Sequence, residues 1–313
     1  MNENAYNIRN YKPEDVEKLK ALRTWVAQGS KDSCVHPVDE VLRDLHRPDH
    51  CPERDLFLAE RDDNAVVAYM DVIPEKAIKR AVLNYLVRPG EGFANVFREL
   101  LHHSMERSEE LGVDYIHINV PEPDIATREL LAHEGFRVAK RYVEMVTGIE
   151  GRDFCSEIPL GTCLRSLRKG EEDKLRDIQN RAFTGSWGFN PNSLEEIIHR
   201  INQPDTSPEE VIICLQEHRP VAYCWTVACL GAQGLPEKRA RVHMLGVDPE
   251  FRGTGAGKAV LVAGLSHLKR KGFCEVVLTC DSENTTALSL YERVGFRVHS
   301  SSLWYERKTP RHC

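Results

Sequence analysis

The chain has 313 residues, with 42 Lys+Arg against 48 Asp+Glu and a formal net charge of −6. That length suits two domains, each with its own core, and an acidic balance without a basic cluster speaks against nucleic acid as a partner. No apolar run is long enough to span a membrane, and the opening MNENAYNIRN lacks the hydrophobic segment of a signal peptide, so a cytoplasmic location is expected.

In chain order, IRNYKPEDVEKL from Ile8 reads as an extended segment followed by an acidic first helical turn, and LRSLRKGEEDKL from Leu164 repeats that pattern. A single ungapped shift lays Val87 and Pro89 over Val247 and Pro249, Gly112 over Gly272, and GFRV at 135–138 over GFRV at 295–298. A duplicated domain is the simplest explanation. The boundary is expected in the polar stretch EGRDFCSE, which gives domains at 1–150 and 158–313. Each half reads as a strand, two helices, a meander of three or four strands, a loop with its helix, a strand, a helix and a last strand. The fold class is α+β, with a mixed, partly parallel sheet in each half. Residues 1–150 hold 20 Lys+Arg against 28 Asp+Glu, and residues 151–313 hold 22 against 20. Only the second half suits an anionic ligand. The ten cysteines include no Cys-x-x-Cys pair, so neither a zinc site nor a disulfide scaffold is expected. Reduced thiols, mostly in the core, are.

The second half opens with two helices joined by NRAFTGSWGFNP, whose Trp187 and Phe189 stand beside glycines. The segments EVIICLQEH and VAYCWTVACL form a hairpin, and RARVHMLGV leads into VDPEFRGTGAGKAVL. Five residues before Gly257 stands Arg252, and Lys258 is followed by Ala259, so this is not a nucleotide triphosphatase loop. The third glycine of a dinucleotide fingerprint would fall on Lys258 or Val260, so that reading fails too. What remains is a strand, a tight loop and a helix N-terminus. Val260, Leu261, Gly264, Leu265 and Leu268 share one helical face. Unpaired N–H groups and the helix dipole at such an N-terminus can hold a pyrophosphate.

VDPEFRGTGAG resembles the acyl-CoA signature of the GNAT N-acetyltransferases, with Arg252, Gly255 and Gly257 at its fixed positions. NTTALSLYERVGF matches a second motif of that family through Asn284, Ala287, Tyr291, Gly295 and Phe296. The resemblance covers residues 158–307 and, more weakly, 6–148. It implies acetyl-CoA as cofactor, held by Arg252, Gly253, Thr254, Gly255, Ala256, Gly257, Lys258 and Asn284. The backbone of Leu245, Gly246 and Val247 would pair with the pantetheine arm where that strand splays from the next. Tyr291 stands at the general-acid position, and a phenol pKa of about 10 keeps it protonated.

Some family members carry a Glu four residues before the pantetheine segment, where this chain has Arg241. A guanidinium cannot accept a proton, so His243, two residues on, is the expected base. Arg241 is expected to anchor an anionic group of the acceptor, and Trp187 and Phe189 to line the acceptor pocket. The tandem arrangement and the Trp187 segment resemble the mycothiol-synthase-like branch, which makes cysteinyl-glucosaminyl-inositol one acceptor to test. At the shift that joins the two copies, Arg252, Gly255, Gly257, Asn284 and Tyr291 become Gly92, Asn95, Phe97, Asp124 and Leu131. The first domain is therefore expected to be a degenerate copy. The expected activity is N-acetylation of a small-molecule amine by the second domain. The alternative is a non-catalytic CoA-binding sensor or scaffold.

Overall fold

A computed structural model describes residues 6–29, 45–88, 90, 92–155, 157–203, 206–230 and 236–310. The chain forms two compact units. The first begins with β1 (Tyr6–Asn10), α1 (Val16–Gly29), the single turn α2 (Pro52–Asp55) and the meander β2 (Leu56–Arg61), β3 (Val66–Glu75) and β4 (Arg80–Val87). It continues through α3 (Phe93–Glu110), β5 (Tyr115–Pro121), α4 (Ile125–His133) and the start of β6 (Arg137–Gly148). β1 to β4 pair antiparallel in sequence order, and β4 pairs with β5 in parallel. The free edge of β5 is taken by the chain's last strand, Ser302–Lys308 pairing antiparallel with Tyr115–Pro121.

The second unit contains β7 (Thr162–Ser166), α5 (Glu172–Phe183), α6 (Leu194–Ile201), β8 (Val211–Gln216), β9 (Arg219–Leu230), β10 (Pro236–Val247), α7 (Ala256–Arg270), β11 (Glu275–Asp281), α8 (Thr285–Val294) and the start of β12 (Arg297–Lys308). β7 to β10 are antiparallel, β10 and β11 parallel, and β6 closes the far side of β11. Glu217 and His218 both adopt positive φ, 47° and 71°, which lets a two-residue turn follow the twist of the β8–β9 hairpin.

The division between units falls at 142/143 rather than in the polar stretch at 150–157, and residues from Ser301 on count with the first unit. Each last strand therefore completes the sheet of the other unit: Val143, Met145 and Ile149 enter the second core, Leu303 and Tyr305 the first.

The repeat is visible in the polar framework as well. Arg9 forks onto Asp15 at 2.6 and 2.7 Å, and at the corresponding place in the second copy Arg165 forks onto Glu171 at 2.7 and 2.8 Å. Buried Asp55 pairs with Arg107, and buried Glu210 with His267 and Lys271. Asp124 and Asn284 both cap the helix that follows them, accepting from Thr127 and Ala287 N–H at 3.1 Å.

In α7 the expected face is the buried one, with Val260, Leu261, Leu265 and Leu268 fully enclosed. A Cβ on Gly264 would lie 2.7 Å from Cys224 Sγ, so glycine sets how closely helix and sheet approach. Cys214, Cys224 and Cys280 are buried, but Cys51, Cys155 and Cys163 are exposed and Cys229 and Cys274 half-buried, so the core location holds for only some of the thiols. No disulfide joins the described cysteines.

Candidate active site

The site begins at a fork. β10 pairs with β11 only over Arg239–Arg241 and Glu275–Val277, so Leu245, Gly246 and Val247 have no partner strand on that side. β9 holds the other edge, Gly246 lying opposite Tyr223. Asp248, 2% exposed, anchors the turn beyond the fork. It accepts from Glu250 N–H and from Arg181 and Arg219 at 2.8 Å. Burial alone would raise its carboxyl; those partners outweigh it and hold the group below its ordinary value.

The glycine loop follows. Gly253 and Gly255 take φ of +79° and +90°, a conformation that residues with a Cβ resist. Gly255 is the N-cap of α7 with no side-chain cap, and the first intrahelical bond is Ala259 N–H to Gly255 O. The N–H groups of Ala256, Gly257 and Lys258 thus have no acceptor among the described residues, while Thr254 Oγ1 donates to Phe251 O. Nothing lies within 4 Å of a Cβ built on Gly253 or Gly255, whereas one on Gly257 would meet Val247 at 3.0 Å. Arg252 donates to Ala182 O at 2.9 Å, so its side chain caps the last turn of α5.

Tyr291 is 6% exposed and stands edge-on to Phe296 at 5.9 Å. Burial raises its phenol, with Cys280 and Cys224 adding to the shift, so the group stays protonated through the neutral range. Asn284 spends its side-chain oxygen on the α8 cap, leaving its NH₂ as the part able to face a ligand.

A β-bulge between Val242 and Met244 falls at His243. His243 is exposed and stands edge-on to Trp225 at 5.2 Å. Arg241 was expected to anchor an anionic group of the acceptor, but its guanidinium is engaged: it donates to Glu144 at 3.0 Å and to Thr279 Oγ1 at 3.1 Å. Glu144, from β6, was not visible as a neighbour in the sequence because nothing local links it to β10.

Trp187 and Phe189 are half-buried, Phe189 stacking on Phe183 at 6.2 Å. Their loop is pinned where Asn180 accepts from Asn192 N–H at 2.9 Å and donates to Asn192 O at 3.0 Å.

The first unit has the same fork, β4 and β5 pairing only over Arg80–Leu83 and Tyr115–Ile118. Its counterparts of Leu245, Gly253 and Gly257 are Tyr85, Phe93 and Phe97. Phe97 is fully buried, stacked on Phe93 at 5.6 Å and edge-on to Tyr85 at 5.0 Å. Three aromatic rings close what glycines leave open in the second unit.

The model of the acetyltransferase (GNAT) family matches residues 172–296. A mycothiol acetyltransferase of Geodermatophilus obscurus is 30% identical over 264 residues, covering 80% of this chain and 81% of that one. The chain belongs to the GNAT family of acetyltransferases. A second mycothiol acetyltransferase, from Thermobispora bispora, is 34% identical over 157 residues, 48% of this chain and 52% of its own. Two solved structures share the fold across the whole length. A GCN5-related N-acetyltransferase from Sphaerobacter thermophilus has a TM-score of 0.77 at 18% identity, covering 100% of this chain and 98% of its own. A tandem GNAT protein of the clavulanic acid biosynthesis pathway has a TM-score of 0.76 at 14% identity, covering 99% and 100%.

As a GNAT acetyltransferase the chain uses acetyl-CoA. Three free N–H groups at one helix start, preceded by glycines in open space, suit the diphosphate of that coenzyme. No helix among the described residues is long and apolar enough to cross a membrane.

Proposed function

We propose that the second unit carries the acetyltransferase site, that it acetylates the amine of a small molecule in a ternary complex, and that the first unit is a degenerate copy without a site. The carrying observation is the contrast between the two forks: unpartnered N–H groups at α7, and packed rings at the corresponding place in the first unit.

Acetyl-CoA supplies an activated acyl group on a thiol leaving group. The N–H groups of Ala256, Gly257 and Lys258 would hold the coenzyme's diphosphate, with the exposed Lys258 ammonium adding charge. Arg252 contributes by fixing the end of α5 against the loop. Leu245, Gly246 and Val247 would offer backbone to the pantetheine amides, and an N–H of that segment would stabilise the thioester oxygen. Asn284 caps α8, the helix that carries Tyr291, whose phenol would supply the proton for the thiol leaving group.

His243 accepts the proton of the acceptor's ammonium, directly or through water. Arg241, fixed by Glu144 and Thr279, presents an ordered charged surface to the acceptor instead of a free cation. The names of the curated relatives make the cysteinyl amine of cysteinyl-glucosaminyl-inositol the first acceptor to test.

The test is a screen of amines with acetyl-CoA, followed by free-thiol release and mass spectrometry of the product. The expected result is amine-dependent thiol release matched by an acetylated amine. Bound acetyl-CoA with thiol release no faster than hydrolysis for every amine would contradict the proposal.

A further inference from the structure

The polar stretch that follows β6 reads in the sequence as a domain boundary, and the family match begins only at residue 172. In the structure this stretch is a strap fastened to both helices of the site. Ile149 N–H donates to Cys274 O at 2.8 Å, Ser266 of α7 donates to Phe154 O at 3.2 Å, and Lys269 of α7 donates to Arg152 O. The Arg152 side chain reaches α8. Its guanidinium donates to Val294 O at 2.7 Å, to Thr147 Oγ1 at 2.8 Å and to Gly148 O at 3.1 Å, and stands over the Phe154 ring, 5.0 Å from its centroid. Thr147 Oγ1 in turn donates to Gly295 O at 3.0 Å.

The last carbonyls of a helix have no partner within it, and the negative end of the helix dipole favours a cation there. In α8 these carbonyls begin at Tyr291 itself. Phe296 N–H donates to Tyr291 O at 3.0 Å and Gly295 N–H to Glu292 O at 2.9 Å. Arg152 then takes Val294 O, and Thr147 takes Gly295 O. Gly295 has a φ of +101°, and a Cβ on it would fall 2.9 Å from Arg152 Nη2 and 3.0 Å from Nη1. Glycine thus permits the left-handed turn and leaves room for the guanidinium. A side chain from outside the family match closes the turn on which Tyr291 stands.

We propose that Arg152 is a positioning residue for acetyl transfer: with Thr147 it fixes the last turn of α8 and so holds the Tyr291 phenol within reach of the thiol sulfur. This rests on the reading of Tyr291 as the acid. The strap is bound to α7, whose N-terminus takes the diphosphate, and to α8, which carries the phenol, so one segment sets coenzyme and acid relative to each other. A proton passes between heavy atoms about 2.6–3.2 Å apart, and a misplacement of about 1 Å can cost about 10²-fold in rate. The guanidinium itself touches neither reactant. Its loss is therefore felt in kcat, and only while the phenol is there to be misplaced.

The experiment is a double-mutant cycle on the intact chain: wild type, Arg152→Ala, Tyr291→Phe and the double variant, with Arg152→Lys in both backgrounds. Turnover is measured with the amine chosen by the screen above, beginning with cysteinyl-glucosaminyl-inositol, beside acetyl-CoA affinity by calorimetry and a Tm that shows each variant folded. Arg152→Ala should lower kcat about tenfold, with coenzyme affinity and acceptor KM within twofold of wild type. Arg152→Lys, which keeps the cation at the helix end, should lose about threefold. In the Tyr291→Phe background neither change should cost more than about twofold. Equal losses in both backgrounds, or none in either, would overturn the inference while the acid role of Tyr291 stands. Should Arg152→Ala fail to fold, Arg152→Lys carries the same cycle. Turnover that Tyr291→Phe leaves unchanged, or a chain that turns over no amine, removes the acid reading and the inference together.

Discussion

The two units follow one plan up to the fork and diverge at it. Both keep the arginine–carboxylate clasp beside the first strand, the capped helix after the fifth, and a parallel pair that parts after a few residues. In the first unit the parted strands close on Tyr85, Phe93 and Phe97, gaining apolar burial. In the second, Leu245, Gly253 and Gly257 leave backbone N–H groups exposed, which is unfavourable for folding and useful for binding an anion. On the proposed assignment, stability and binding compete for the same few positions, and each copy resolves that competition differently.

The largest expected effect comes from reversing the second unit's choice. Gly255→Asp introduces a side chain and a negative charge at the mouth of the N–H cradle, and coenzyme affinity should fall by more than about 100-fold in titration calorimetry. Asn95→Asp, at the corresponding place in the first unit, should leave affinity unchanged; a comparable loss there would mean that the first unit also binds.

The complementary change removes the first unit's plug. Phe97→Ala should cost about 3–5 kcal/mol in denaturant unfolding, with no change in coenzyme affinity. A loss below about 1 kcal/mol would show that the rings do not close the fork. Next in size, Tyr291→Phe should slow turnover by about 10²-fold while coenzyme affinity stays near wild type. A rate within a factor of a few of wild type would make Tyr291 a packing residue.

The smallest effect concerns a feature the two copies share. Hydrogen bonds from Arg9 hold Asp15 below its ordinary value, and those from Arg165 hold Glu171 at about 2 against an ordinary value of 4.5. A carboxyl lowered by folding contributes stability above its unfolded value, and that contribution disappears as the pH falls. Glu171→Gln should therefore flatten the loss of stability between pH 4.5 and about 2, measured by thermal melts across that range. An acid limb as steep as that of wild type would contradict the assignment.

The repeat, the α+β class and the loop residues were legible because they are local: glycine spacing, a helical face, and a constant offset between copies. Completion of each sheet by the other unit's last strand was not. β6 and β12 hold corresponding places in the two copies with the same surroundings in sequence, and nothing in either says which β5-like edge it will join. Side-chain direction was lost for a similar reason. Arg252 in the motif suggested a phosphate ligand but caps α5, and Arg241 suggested a free cation but meets Glu144, which only the strand exchange brings near.

The measurement that bears most directly on the contrast between the copies is a calorimetric titration of the intact chain with acetyl-CoA. One tight site per chain, lost in Gly255→Asp, is the expected result. Two equivalent sites, or one that survives Gly255→Asp, would contradict the assignment of the coenzyme to the glycine loop of the second unit.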